Sequence, residues 1–320
     1  MIVVSTDEAR WLPACLDSVF ARAGGIALDV VVADNDSDDG TRELVESRYP
    51  AARVVRSANR GFAHANNRAL LSCSAHYVLF LNPDTELVSG TLAQLVRALD
   101  ERPGVGLVGV RHLDGEGALY PTIRRFPNAL RALGQALGAE RLRGPSVLTR
   151  ALRERELDPR AYEREGECDW TTGAFMLARR EALQAAGLLD ERFFIYSEET
   201  DLCRRIKDAG FEVRHLPEMT IVHYAGKGGV SPRMEAQDAY ARLQYARKHF
   251  SPPHRGAYRL ALMLGRALRW LRAAVRAEPR AREAHAAALA VLAGRARPPF
   301  GEPARTALRP SRLAPGRGRA

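Results

Sequence analysis

No apolar run in the 320 residues approaches the roughly 18 consecutive positions that a membrane-spanning helix needs. No GxGxxG follows the first apolar segment, and neither does a Gly-rich loop bearing Lys or Arg. The stretch STDEARW, residues 5–11, stands there instead. These absences weigh against a dinucleotide-binding oxidoreductase and against a nucleotidyltransferase. Cysteine is scarce. Cys15, Cys73, Cys168 and Cys203 show no CxxC spacing, which argues against zinc and against a disulfide framework and fits a reducing cytosol. The early acidic pair Asp7–Glu8 argues against a secretory leader. Lysine and aspartate are missing from residues 251–320, which hold 15 Arg and 3 Glu, a net +12. Residues 1–250 therefore carry 33 basic against 35 acidic side chains, or −2. The overall +10 belongs to the C-terminal part, so a nucleic-acid-binding surface over the whole body is disfavoured. The expected location is cytoplasmic, with peripheral attachment to the inner face of the cell membrane as an option.

What is present is an alternation of two periods. IVVS, DVVVA, RVVRS and YVLFL are short apolar runs. They are separated by the helical patterns PACLDSVFAR, TRELVESR and FAHANNRALLS, and SGTLAQLVRALDE follows the last. Such alternation predicts an α/β fold with a mostly parallel, Rossmann-like sheet flanked by helices. VGLVGV at 105–110 adds a strand. The Arg- and Pro-rich residues 111–168 read as an insertion on the acceptor side. TTGAFMLA returns as a strand, EETDLCRRIKDAG is a helix stopped by Gly210, FEVRHL and MTIVHY read as two strands, and EAQDAYARLQYARKHF closes the body near residue 250. A helical, basic, amphipathic extension is expected over 251–294, and a disordered Arg/Pro-rich tail over 295–320.

In open α/β sheets, ligands bind beyond the carboxyl ends of the strands. Three of the expected strands end in chemistry: one in Asp34, Asn35 and Asp36, one in Asn82 and Asp84, one in His223. Each could be plain turn chemistry; three in one sheet point to a shared site. A fourth cluster, Glu198, Glu199 and Asp201, opens a helix. Acids there favour the helix dipole, and Asp201 has Arg205 four residues on as a partner. Glu198 and Glu199 have no such partner, and they follow the aromatic FFIY, whose apolar surface would raise a carboxyl pKa.

These residues fall into recognisable blocks. VVADNDSDDGT, NRGFAHANNRAL, FLNPD, DWTTGAFMLARREAL, GLLDERFFIYSEETDLCRR and IVHYAG, in this order over about residues 1–230, resemble the motifs of glycosyltransferase family 2, in its rhamnosyltransferase-like branch. The resemblance implies a GT-A fold and inverting transfer of one sugar to an acceptor hydroxyl. The donor would be a nucleoside-diphosphate sugar (dTDP- or UDP-linked) and a divalent metal, Mg²⁺ or Mn²⁺, would assist. It places the metal on Asp84, with His223 as second ligand, and the general base on Glu199, with Glu198 as rival. Thr6, Asp34, Asn35, Asn59, Gly61 and Asn67 become nucleotide-pocket residues. Asn82 either supports the metal turn or only shapes it, and Gly173 lets donor or acceptor approach the backbone. Asp36, Asp38 and Asp39 build the turn and cap the next helix. The acceptor would be a glycan, lipid-linked or polymeric, of the cell envelope or surface. The chain departs from the pattern at Thr6-Asp7, Ala65, Ala69, Leu188-Leu189 and the Glu198-Glu199 pair, which questions donor fit more than chemistry. A catalytically inactive nucleotide-sugar-binding protein is the alternative.

Residues 255–276 interleave Arg with Leu, Met, Trp and Val. Such a helix either lies on an anionic membrane surface or packs plainly on the domain.

Overall fold

The structure, a computed structural model, describes residues 1–142, 146–224 and 231–300. In chain order the elements are β1 (Ile2–Ser5), α1 (Leu12–Ala21), β2 (Val30–Asp34), α2 (Thr41–Arg48), β3 (Ala52–Arg56), α3 (Phe62–Leu71), β4 (Tyr77–Leu81), β5 (Thr85–Ser89), α4 (Leu92–Asp100), β6 (Val105–Leu113), β7 (Leu119–Tyr120), α5 (Ala129–Ala136), α6 (Val147–Leu152), β8 (Gly166–Glu167), β9 (Phe175–Arg179), α7 (Arg180–Ala186), α8 (Glu198–Asp208), β10 (Glu212–His223), α9 (Pro232–His249), α10 (Pro252–Val275) and α11 (Pro279–Leu292).

One sheet runs in the order β3-β2-β1-β4-β9-β6-β10-β5. The half made of β3, β2, β1 and β4 is parallel, as the alternation predicts. Beyond it, β9 lies antiparallel between β4 and β6, and β10 is parallel to β6. Residues alternate between faces along each strand. Val3, Val30 and Val32 pack with Leu16 of α1 and Leu95 of α4, whereas Ile2, Val4 and Val31 pack with Leu70 of α3 and Leu202 of α8. Both faces are covered, which is why these strands read as unbroken apolar runs.

Two strand assignments differ from expectation. FEVRHL and MTIVHY belong to a single strand, β10, whose pairing with β6 slips between Leu216 and Thr220, around Pro217. A proline cannot donate to the ladder, so the strand bulges there instead of ending. TELVS, which follows the NPD turn, is an edge strand, β5, antiparallel to β10. This pairing folds His223 back over the turn, opposite Thr85.

The C-terminal helices form a second core. Ala236 and Ala246 of α9, Tyr258 and Leu262 of α10, and Ala288 and Leu292 of α11 pack together with Ala132 of α5. Residues 251–294 therefore close over the segment read as an insertion. Phe300 stacks on Phe194, with ring centroids 4.5 Å apart. Residues 301–320 of the expected tail lie outside the described residues.

Candidate active site

Beyond the carboxyl ends of β4 and β10 lies a chamber of ≈ 330 Å³, with Asn82, His223, Gly173, Glu198 and Glu199 in its wall. Asp84 stands beside it: His223 Nε2 is 3.3 Å from Asp84 Oδ1 and 3.5 Å from Asn82 Nδ2. The Asp84 carbonyl accepts from Tyr224 N at 2.9 Å, which pins the turn to the end of β10. Next to His223, with ring centroids 6.2 Å apart, sits His112, fully buried with neither ring nitrogen partnered. Burial holds its pKa well below the usual value, so it is a neutral neighbour.

Among the described residues, no three His, Cys, Asp or Glu side chains gather into a metal-binding group. The Asp84–His223 pair is nonetheless a fit for a divalent cation that takes its remaining ligands from phosphate oxygens and water. The oxygen and imidazole donors converge, and an imidazole suits Mn²⁺ better than Mg²⁺.

The carboxylate pair is presented by strain. Tyr196 and Ser197 both have positive φ, 73° and 66°, immediately before α8. Side chains other than glycine disfavour this region at about 1–3 kcal/mol each, and such strain persists only where surrounding structure fixes it. Asp201 supplies the anchor. It is fully buried, and it accepts from Arg205 Nε at 2.8 Å, Lys248 Nζ at 2.6 Å and His249 Nε2 at 2.7 Å, which ties α8 to α9. Burial alone would raise its pKa, but the His249 hydrogen bond and the charges of Arg205 and Lys248 outweigh it and the net shift is downward.

Glu198 is 4 % exposed and Glu199 partly so, and Oε2 of each is buried with no hydrogen-bond partner. Burial raises both carboxyl pKa values, Glu199 to about 7 despite the opposing charges of Arg124 and Arg242. Glu198 is pushed further, by burial and then by the charge of Glu199. The pair titrates together: Glu199 ionises first and its charge keeps the proton on Glu198. A Cβ added at Gly173 would lie 3.8 Å from Glu199 Cβ, so this glycine leaves the chamber open beside the base candidate.

The expected nucleotide residues divide. Thr6, Asn35 and Asn59 are brought together: Asn35 Nδ2 donates to Thr6 Oγ1 at 3.1 Å and to Asn59 Oδ1 at 3.0 Å. Asp34 is buried at the end of β2, where Oδ1 accepts from Ser37 N at 2.9 Å. Asp39 accepts from Thr41 N at 3.1 Å just ahead of α2, but the N-cap itself is Gly40 and no side chain caps the helix, so the expected acidic cap is not formed. Asn67 is not in the group. It is fully buried, donating to Leu189 O at 2.8 Å and Glu191 Oε1 at 3.0 Å and accepting from Leu189 N. Its amide fastens α3 to the segment leading to α8. Gly61 (φ +99°) is a packing position as well, because a Cβ there would come 2.2 Å from Phe194 O.

Sequence reasoning missed several chamber residues. Arg124 and Glu154 come from the insertion, Asp238, Arg242 and Tyr245 from α9, and Tyr258 from α10. Arg124 is 7 % exposed, its guanidinium 5.2 Å from the Trp170 ring centroid and its Nε unpartnered. No local motif marks these positions, since long-range packing alone assembles them.

The strand ends thus bring His223 and Asn82 to one chamber with the buried Glu198 and Glu199 carboxyls, and set Asp84 beside it. The chain belongs to glycosyl transferase family 2, whose family model matches residues 1–185. It is 31% identical over 210 residues to N-acetylglucosaminyl-diphospho-decaprenol L-rhamnosyltransferase of Mycobacterium tuberculosis, a match covering 62% of this chain and 66% of that one, just under two thirds. It is 22% identical over 233 residues to rhamnosyltransferase WbbL of Escherichia coli (strain K12), over 70% of this chain and 83% of that one. Among solved structures it is similar to the mannosyltransferase PcManGT from Pyrobaculum calidifontis, in complex with GDP-Man and Mn²⁺. The TM-score is 0.55 at 19% identity, over 92% of this chain and 85% of that one. The fold is thus the GT-A fold expected from the motifs.

Proposed function

We propose that the chain is a metal-dependent inverting glycosyltransferase. It moves a sugar, with rhamnose the first candidate, from a dTDP- or UDP-linked donor to a hydroxyl of a lipid-linked or polysaccharide acceptor in cell-envelope or surface-polysaccharide synthesis. The observation that carries this reading is the shared chamber, where Glu199, with Oε2 unpartnered, lines the same space as His223 and Asn82. The rhamnosyltransferase names of the relatives support the donor sugar and the lipid-diphosphate acceptor.

In this reading Thr6, Asp34, Asn35 and Asn59 hold the nucleoside at the ends of β1 and β2. Asp84 and His223 hold the divalent cation, which when bound supplies Lewis-acid stabilisation of the departing diphosphate. Glu199 takes the acceptor proton as the hydroxyl attacks the anomeric carbon, and a single displacement inverts that centre. Glu198, protonated beside it, keeps a second negative charge out of the chamber. Testing uses nucleoside-diphosphate release from a panel of sugar nucleotides with a lipid-linked acceptor extract. Metal-dependent turnover of one donor is expected. Absence of both binding and turnover for every donor would leave the inactive-binder alternative.

The acceptor would meet the protein at a membrane surface. Among the described residues no helix is long and apolar enough to cross a membrane. Yet α10 carries Leu260, Leu264, Leu268, Leu271 and Val275 exposed on the side away from its buried Tyr258, Leu262 and Ala273. A helix apolar on its unpacked side and edged by Arg272 and Arg276 suits an anionic lipid interface. Full-length protein should co-sediment with anionic vesicles. The Leu264→Glu/Leu268→Glu/Leu271→Glu variant should lose most of that binding while keeping its thermal stability, and equal sedimentation of the two would remove the membrane from the account.

A further inference from the structure

A second cavity, of ≈ 870 Å³, adjoins the catalytic chamber. The two share Tyr120, Arg155, Tyr196, Asp238 and Arg242 as a common wall. From there the second cavity runs between α5 and α10, where the facing side chains are small: Gly265 approaches Ala136 so closely that an added Cβ would lie 3.2 Å from the Ala136 Cβ.

Its charged lining is asymmetric. Two arginines are already neutralised: Arg266 pairs with Glu235 and with Asp238 (2.8 Å to the latter), and Arg242 pairs with Asp238 at 3.1 Å and Glu154 at 3.5 Å. Two others are not. Arg155 reaches only Glu140, at 3.6 Å. Arg269 has no ion pair or hydrogen bond among the described residues, although it is partly buried. Burial, then the nearby charges of Arg266 and Arg242, depress its pKa, and the charges of Glu235 and Glu140 offset this only in part. Fixed carboxylates hold Arg266 and Arg242 in place, whereas Arg155, with one long contact to Glu140, and Arg269, with none among the described residues, line the same cavity.

We infer that the cleft between α5 and α10 is the site for the diphosphate linkage of a lipid-linked acceptor, with Arg155 and Arg269 binding the phosphate oxygens. The inference rests on the acceptor class proposed above and adds where its anionic part sits. The geometry orders the substrate: the sugar lies in the chamber beside Glu199, the diphosphate at Arg155 on the shared wall and Arg269 beyond it, and the lipid leaves along α5. Exposed leucines flank that exit, Leu130 on α5 and Leu137 just after it. Guanidinium groups suit this role because their planar fork pairs with two phosphate oxygens at once.

The test uses full-length protein in EDTA, so that the cation-dependent donor site is silent, and titrates geranyl diphosphate and inorganic pyrophosphate calorimetrically. Geranyl diphosphate should bind the wild type and the Asp84→Ala variant alike. Binding should weaken about tenfold or more in Arg269→Ala and in Arg155→Ala, with Arg269→Lys retaining part of it. Pyrophosphate binding as tight as that of geranyl diphosphate would overturn the lipid part of the proposal, and binding indifferent to both arginines would overturn all of it. In the transfer assay, Arg269→Ala should raise KM for a diphosphate-linked acceptor about tenfold and leave KM for a neutral aryl glycoside unchanged. An equal loss on both acceptors would make Arg269 a structural residue only. Donor turnover that persists without diphosphate binding sinks this inference alone. Diphosphate binding without turnover of any donor instead sinks the proposed activity.

Discussion

Replacing Glu199 by Gln should lower sugar transfer by about 10²- to 10⁴-fold, the span that a positioned general base contributes. The substitution keeps shape and volume, so donor binding should survive. Glu198→Gln should cost less than about tenfold, because that carboxyl already holds its proton under the combined effect of burial and the Glu199 charge. A larger loss in Glu198→Gln than in Glu199→Gln would reverse the two roles. The pH dependence follows from the same shift. The base works ionised, and burial has moved its pKa up to about 7, so kcat/KM should rise with pH through an acidic limb near 7. That limb should be absent from the residual activity of Glu199→Gln. The stability signature has the opposite direction. A folded pKa above the ordinary glutamate value of 4.5 means that the folded state binds the extra proton. This contribution is fully present below about 4.5 and lost as pH rises through about 7. Glu199→Gln should therefore raise the melting temperature relative to wild type at pH 8 and leave it nearly unchanged at pH 4.5, since only at the higher pH does the wild type carry a buried charge.

The sequence disclosed the parallel half of the sheet because β1, β2 and β4 are buried on both faces and hence written as continuous apolar runs. It singled out Asp84 because a polar cluster stands where such a run stops, and Glu198 and Glu199 because they follow the aromatic FFIY without a partner at helical spacing. Other features were hidden for physical reasons. β5 is an edge strand with alternating burial over only five residues, so it merges with the turn before it. The left-handed Tyr196 and Ser197 carry no glycine to mark them, because the Asp201 ion network, rather than local preference, holds them there. Asn67 looks like a pocket residue within its motif, yet its partners are Leu189 and Glu191, more than 120 positions away. Long-range partners of this kind leave no periodicity. The same holds for Arg124 and Arg242, which meet in one chamber from segments that read separately as an insertion and as a closing helix. A basic C-terminal extension was legible from composition, but its closure over α5 depends on small residues such as Ala132, Ala136 and Gly265, which composition does not single out.

Asp84→Ala should lower turnover about a thousandfold, the rate equivalent of ~4 kcal/mol of leaving-group stabilisation. The fold should be indifferent to it. The Asp84 side chain is 21% exposed, and among the described residues its one side-chain polar contact is the 3.3 Å approach to His223, which is worth little as a partly exposed pair. The position of the turn is kept by its backbone, through Tyr224 N on the Asp84 carbonyl and Asn82 N on the Ala174 carbonyl. A fall in melting temperature comparable to the loss of a core residue would therefore contradict the assignment. Cation linkage supplies a readout independent of turnover. Mn²⁺ together with a nucleoside diphosphate should raise the melting temperature of the wild type, because a ligand that binds only the folded state stabilises it by mass action. Asp84→Ala should lose that increment, and His223→Ala should lose most of it. EDTA should bring the wild type down to the level of Asp84→Ala in turnover, and adding EDTA to the variant should change nothing further. Should the variant keep full turnover, or should EDTA leave the wild type untouched, the carboxylate at the end of β4 would be turn chemistry after all. Stabilisation of the leaving diphosphate would then have to come from the arginines of the chamber, Arg124 first among them.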